Sequence, residues 1–107
     1  MQRLQLIKGW IDTDGQRRSA VIDIAGSQDR PANALCSVYV DNDYDAEESS
    51  YYYLRALEVE SPRWIHYDCE RIPEGERPAV CSDGSYPDTI VEMAWTSPIW
   101  VGAAGGR

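Results

Sequence analysis

Two apolar runs of period two, separated by Asp12-Thr13-Asp14-Gly15, constrain this chain more than any other feature. Residues 3–12 carry Leu4, Leu6, Ile7, Trp10 and Ile11, with Leu4, Leu6 and Trp10 on one side and Lys8 interrupting it. Residues 17–25 place Ala20, Ile22 and Ile24 on one side and Ser19, Val21 and Asp23 on the other. A spacing of two is the side-chain period of a strand. Asp-Gly between such runs favours a tight turn, because glycine accepts positive φ without steric cost. The segment predicts an antiparallel hairpin with one buried face.

Further apolar blocks follow at intervals set by turn residues. Residues 34–40 alternate Cys36, Val38 and Val40 with Leu35, Ser37 and Tyr39 and read as a strand, after a loop over 26–33. Residues 41–50 (DNDYDAEESS) are acidic and belong in water. In residues 51–60 Leu54, Leu57 and Glu58 would suit a helix, but three consecutive tyrosines and Val59 favour a strand. Pro62 ends it by removing a donor. Residues 63–68 then read as a short extended piece, and 69–88, rich in Pro, Gly and charge, as a long surface excursion.

The pattern resumes over 89–95, bends at Thr96-Ser97-Pro98, and closes with a short strand over 99–101 before a tail, 102–107, expected to fray. Phenylalanine is absent, and seven tyrosines and four tryptophans supply the large side chains. No repeat or linker divides residues 1–107, so the expectation is one all-β domain. Five to seven strands on this length suit an immunoglobulin-like antiparallel β-sandwich better than a closed barrel.

Charge narrows the partners. Eighteen acidic against ten basic side chains give a net charge of -8, which argues against nucleic acid and anionic membrane, since phosphate contacts need Lys or Arg. No apolar run approaches the roughly 18 residues of a membrane span, so no membrane insertion is expected, and no signal-peptide pattern opens the chain.

Residues able to carry chemistry are few. His66 is the only histidine, with Asp68, Cys69 and Glu70 beside it. That is a thin ligand set for metal-assisted hydrolysis, which needs several donors converging on an open position. No nucleophile motif surrounds a serine. The chain is expected not to be an enzyme by itself, and a small enzyme built on His66, Asp68 and Glu70 is the rival. Asp41, Asp43 and Asp45 suggest a hard-cation loop. An EF-hand register from Asp41 would need Gly and Glu where Ala46 and Tyr52 stand. A looser site with Glu47 or Glu48 competes with a solvated loop whose Asp side chains cap turns, and the solvated loop is preferred.

Three cysteines permit three single pairings. Cys69–Cys81 is favoured because it closes the loosest segment, and Cys36 is expected to be a buried apolar side chain. Among the aromatics, Trp10, Tyr52, Trp95 and Trp100 are expected to fill the core. The alternative is a stand-alone ligand- or carbohydrate-binding module using exposed aromatics, with Trp64, Arg63 and Trp100 as binding candidates. Exposure of Trp64 and Trp100 beside a groove discriminates the two. Arg63 beside Trp64 suggests a local cation–π contact, and Arg55 has Glu58, Asp23 or solvent as partners.

Three segments carry a resemblance. They are Ile7-Lys8-Gly9-Trp10-Ile11-Asp12 with Asp14-Gly15 and Val21-Ile22-Asp23; Tyr52-Tyr53-Leu54-Arg55-Ala56-Leu57-Glu58 with Pro62-Arg63-Trp64; and Ala94-Trp95-Thr96-Ser97-Pro98-Ile99-Trp100. In this order the chain resembles the C-terminal region of the bacterial domain-of-unknown-function family 3604, whose long members resemble PHP-type metal phosphoesterases. The sequence departs from the family pattern at Asn42, where proline is common, and over residues 69–88. The resemblance implies that the metal-binding histidines and carboxylates lie upstream, in a part this sequence lacks. It also implies a divalent metal in the parent protein and no cofactor in this chain. The expected role is that of a non-catalytic accessory domain whose partner is the upstream catalytic domain of the same polypeptide. Three cysteines and the resemblance together suit a periplasmic or secreted parent.

Overall fold

In the computed structural model, residues 1–27 and 29–103 are described. Along the chain come strands β1 (Arg3–Ile11), β2 (Arg17–Gly26), β3 (Ser50–Leu57) and β4 (Ser61–Pro62), helix α1 (Trp64–Arg71), and strands β5 (Thr89–Ile90), β6 (Met93–Trp95) and β7 (Ile99–Val101). Short 3-10 turns occupy Glu74–Glu76 and Ala79–Cys81. The strands pair antiparallel throughout and helix is scarce, so the chain is all-β in class. It divides into two compact units, Met1–Glu58 with Met93–Arg107, and Val59–Glu92.

The first unit holds one sheet in the order β2-β1-β3-β6, with β7 also on β3. The β1–β2 hairpin forms as the alternation predicts, and Asp12 fixes its turn. One carboxylate oxygen accepts the amides of Asp14 at 3.0 Å and Gln16 at 2.8 Å, the other accepts Arg18 Nε at 3.0 Å, and Gly15 takes φ 79°. Strand β3 pairs with the other side of β1 from Trp10↔Ser50 to Arg3↔Leu57, so the tyrosine run is a central strand.

Strands β6 and β7 share one edge of β3: Leu57↔Met93 to Arg55↔Trp95, then Tyr52↔Ile99 to Ser50↔Val101. Between them Thr96, Ser97 and Pro98 oppose Tyr53 and Leu54. This bulge puts three residues against two, and Thr96 bridges it: its amide donates to the Leu54 carbonyl at 3.0 Å, while its Oγ1 accepts the Leu54 amide at 3.0 Å. The extra residue decides which way the edge side chains point. Trp95 and Trp100 are five apart and would face opposite ways in an unbroken strand. With the bulge, both lie on the face shared by their partners Arg55 and Tyr51.

Residues 34–40 are not a strand. The connection from β2 must cross a face of the sheet to reach β3 on the far side of β1, and a crossing segment cannot also run along an edge. Val38 is accordingly 91% exposed. Cys36, expected to be buried, lies exposed in the same segment.

In the second unit β4 and β5 pair as a two-stranded ladder, Ser61↔Ile90 and Pro62↔Thr89. The Arg63 amide donates to the Asp88 carbonyl at 2.8 Å, and the Thr89 hydroxyl meets Glu60. Helix α1 replaces the extended piece expected over 63–68. Its signal is the spacing Ile65, Cys69, Ile72, a helical stripe in which Ile65 is buried. His66 Nε2 lies 3.1 Å from Glu70 Oε1, four residues on, in the same helix. Cys69 is bridged to Cys81 with a Cα–Cα distance of 5.8 Å, the pairing favoured from sequence. Of the tail expected to fray, Gly102 is exposed and residues 104–107 lie outside the described residues.

Candidate functional site

Cross-strand partners project to the same face, so the register sorts every sheet side chain. One face carries Leu4, Leu6, Lys8 and Trp10 of β1 with Tyr52 and Leu54 of β3. The crossing loop lies on this face, because Asp41 meets it twice: Lys8 Nζ is 2.7 Å from Asp41 Oδ2, and the Tyr52 hydroxyl donates to the same oxygen at 2.6 Å. Lys8 is 7% exposed at its side chain and Asp41 13%, and the ammonium also sits 4.9 Å from the centre of the Trp10 ring and 5.8 Å from that of Tyr52.

Burial alone would lower the Lys8 pKa, but its bond to Asp41 and the acidic groups around it outweigh burial and hold it above the ordinary lysine value. Burial alone would raise Asp41. The bonds from Lys8, Tyr52 and the Asp43 amide reverse that and hold it below the usual carboxylate range. Tyr52 is pushed up by burial and by its bond to Asp41.

The opposite face has a different character. On β3, Tyr51, Tyr53 and Arg55 alternate along it and lean over β1. The Tyr51 ring covers Gly9, where any Cβ would lie 2.2 Å from the ring. Tyr53 stacks on Tyr51 at 6.3 Å with an interplanar angle of 8°. Its cross-strand partner Ile7 is buried. Arg55 Nε donates to Gln5 Oε1 at 2.9 Å, and Gln5 Nε2 donates to Asp23 Oδ1 at 2.7 Å. Arg55 therefore meets neither Glu58 nor Asp23 directly, and reaches Asp23 only through the amide of Gln5.

Beside these rings stand the edge tryptophans. Trp100 packs on Tyr51 at 5.3 Å and 52°, yet is 73% exposed, and Trp95 is 61% exposed. The expectation that Trp95 and Trp100 fill the core is thus overturned. Both sit on an edge strand, on a face where Ile11 and Val21 are also exposed. Trp10 and Tyr52 are half-buried on the loop-covered face.

At the end of the strands lies a groove of about 620 Å³, lined by side chains of both faces. Trp10, Tyr51 and Trp100 contribute rings, and Arg17 and Arg18 lie along it. Arg18 is held by Asp12, whereas Arg17 has no carboxylate within 4.0 Å among the described residues. Ser50 also lines the groove and is 7% exposed. Neither Arg17 nor Ser50 is conspicuous in the sequence. The only signal is register, since Arg17 pairs with Ile11 and Ser50 with Trp10 at the open end of the ladder.

The binding candidates separate. Trp100 lines the groove in the first unit, while Arg63 and Trp64 belong to the second, where Trp64 opens α1 and is 65% exposed. The cation–π contacts among the described residues are made by Lys8. Asp41, Asp43 and Asp45 do not converge: Asp41 turns toward Lys8 and accepts the Asp43 amide, and Asp45 accepts the Glu47 amide. Among the described residues no three His, Cys, Asp or Glu side chains are grouped to hold a metal ion, and none of the helices is long and apolar enough to cross a membrane.

A family model described as Protein of unknown function (DUF3604) matches residues 1–35 and 31–103. The chain belongs to this family. Comparison of this DUF3604 chain with curated proteins and with solved structures gave no match.

Proposed function

We propose that this DUF3604 chain is a non-catalytic accessory domain of a larger PHP-like metal phosphoesterase, and that it works by recognition through the open aromatic face of its sheet. One observation carries the reading: Tyr51, Tyr53, Trp95 and Trp100 are laid on a single face, with both tryptophans more than half exposed and Trp100 lining the groove. Clustered large rings at a surface are costly to leave in water and serve to bind a ligand or a partner. The ionisable groups, by contrast, are dispersed or engaged in structural bonds. In this reading the divalent metal and its ligands belong to the parent's upstream catalytic domain, and the sheet is one layer of an immunoglobulin-like sandwich.

The test is an assay of the purified chain against phosphoester substrates with added divalent metals, where no turnover is expected. Turnover that persists through purification and is lost on His66→Ala would replace this reading with an enzyme centred on α1.

A second reading has its own support. Ile11 and Val21 are exposed on the face of the rings, more apolar surface than a small ligand requires, which fits packing against the catalytic domain. Mixing the chain with the remainder of the parent and following complex formation by ultracentrifugation tests it. A complex weakened by Trp95→Ala is the expected sign.

A further inference from the structure

We infer that the groove at the end of the sheet binds a sugar bearing a negative charge, specifically a pyranose ring with a carboxylate. This rests on the recognition reading and names its ligand class. Two features of the groove agree. Its rings, Tyr51 and Trp100 with Trp10 beside them, offer flat apolar faces of the kind on which the C–H face of a pyranose stacks. Its volume of about 620 Å³ is in the range of small-molecule sites.

The charge assignment comes from Arg17. In a chain with 18 acidic residues, the other basic groups of the β1–β2 hairpin are engaged: Lys8 by Asp41, Arg3 by Asp23 and Arg18 by Asp12. Arg17 lines the same groove with its guanidinium uncompensated. A guanidinium fork matches a carboxylate in two parallel hydrogen bonds. A neutral sugar would leave that capacity unused.

The experiment is calorimetric titration of the full chain with hexagalacturonate, with neutral cellohexaose, and with a sulfated oligosaccharide of the same length. Hexagalacturonate is expected to bind about tenfold tighter than cellohexaose, the ratio one charge-assisted contact supplies, and to weaken as salt rises. Trp100→Ala should weaken both sugars. Arg17→Gln should bring hexagalacturonate down to the neutral level and leave cellohexaose unchanged. Both positions are exposed, so the fold is expected to survive, and far-ultraviolet circular dichroism checks it. Equal affinity for acidic and neutral sugars would overturn the charge assignment and leave recognition standing. Preference for the sulfated sugar would overturn the carboxylate. Failure of every sugar, with Trp100→Ala instead disrupting a complex with the parent's remainder, would overturn both this inference and the sugar-binding use of the face.

Discussion

Lys8 on β1 and Asp41 in the crossing loop, 33 positions apart in sequence, meet at 2.7 Å with both side chains largely withdrawn from water. This contact fastens the connection between β2 and β3 to the sheet it crosses. Removing the carboxylate strands an ammonium in a site that no longer compensates it. Asp41→Ala and Lys8→Met each strand the other charge and are expected to cost about 3 kcal/mol, whereas the double variant Lys8→Met with Asp41→Ala, which removes both charges, should cost about 1 kcal/mol or less. Urea unfolding of the three variants checks the order. A double variant that loses the sum of the single losses would mean the pair is not acting as a compensated buried charge.

The same pair sets a pH profile. Asp41 is depressed in the folded chain, so its contribution is complete above the ordinary carboxylate range and fades as pH falls through its lowered folded value. Lys8 is raised, so its contribution is complete below the ordinary lysine value and fades as pH climbs through its higher folded value. Stability should be flat between these limits. Asp41→Asn should shallow the acid limb in thermal melts, and an acid limb as steep as before would assign it to other carboxylates.

Gly9 lets the Tyr51 ring lie against β1. A Cβ there would meet the outer atoms of the ring, and such a side chain can swing away, so Gly9→Ala should lower stability by only about 1 kcal/mol while displacing the ring. Near-ultraviolet circular dichroism, sensitive to the Tyr51–Trp100 contact, should change more than the melting temperature does. An unchanged spectrum would show that the ring does not depend on this glycine.

Thr96 satisfies Leu54 at the bulge between β6 and β7. Thr96→Val leaves the Leu54 amide without its acceptor and is expected to cost about 1 kcal/mol, with Thr96→Ser close to the parent. Chemical denaturation distinguishes them. A loss in Thr96→Ser with none in Thr96→Val would place the effect in the threonine methyl group instead of its oxygen.

Reduction of Cys69–Cys81 removes a cross-link spanning 12 positions and should cost the Val59–Glu92 unit on the order of 3 kcal/mol. Hydrogen exchange under reductant is expected to rise in α1 while β1 and β3 stay protected. Uniform loss of protection would make the two units one cooperative body.

Much of this was readable beforehand where local chemistry and pattern agree. Asp12 to Gly15 announces a turn and the flanking alternation a hairpin, and the loose segment between Cys69 and Cys81 invites a bridge. The local pattern misleads where the outcome is set at a distance. Residues 34–40 alternate as well as any strand, yet they link strands on opposite sides of β1 and must cross instead of pair. The helical stripe Ile65, Cys69, Ile72 was masked by proline and aromatics around it. Trp95 and Trp100 are as apolar as core residues, and nothing in their sequence says that they occupy an edge strand. The bulge that brings them to one face depends on counting residues against a partner strand. Arg17 and Ser50 become interesting only once the ends of three strands are laid side by side.

The pairing of Leu57 with Met93 has a wider consequence. The 59–92 excursion departs and returns at a single rung of the ladder, as a side road rejoins its highway at the same junction. Lengthening, shortening or exchanging that detour need not disturb the traffic on either side. Relatives could therefore elaborate it freely while the sheet itself stays put.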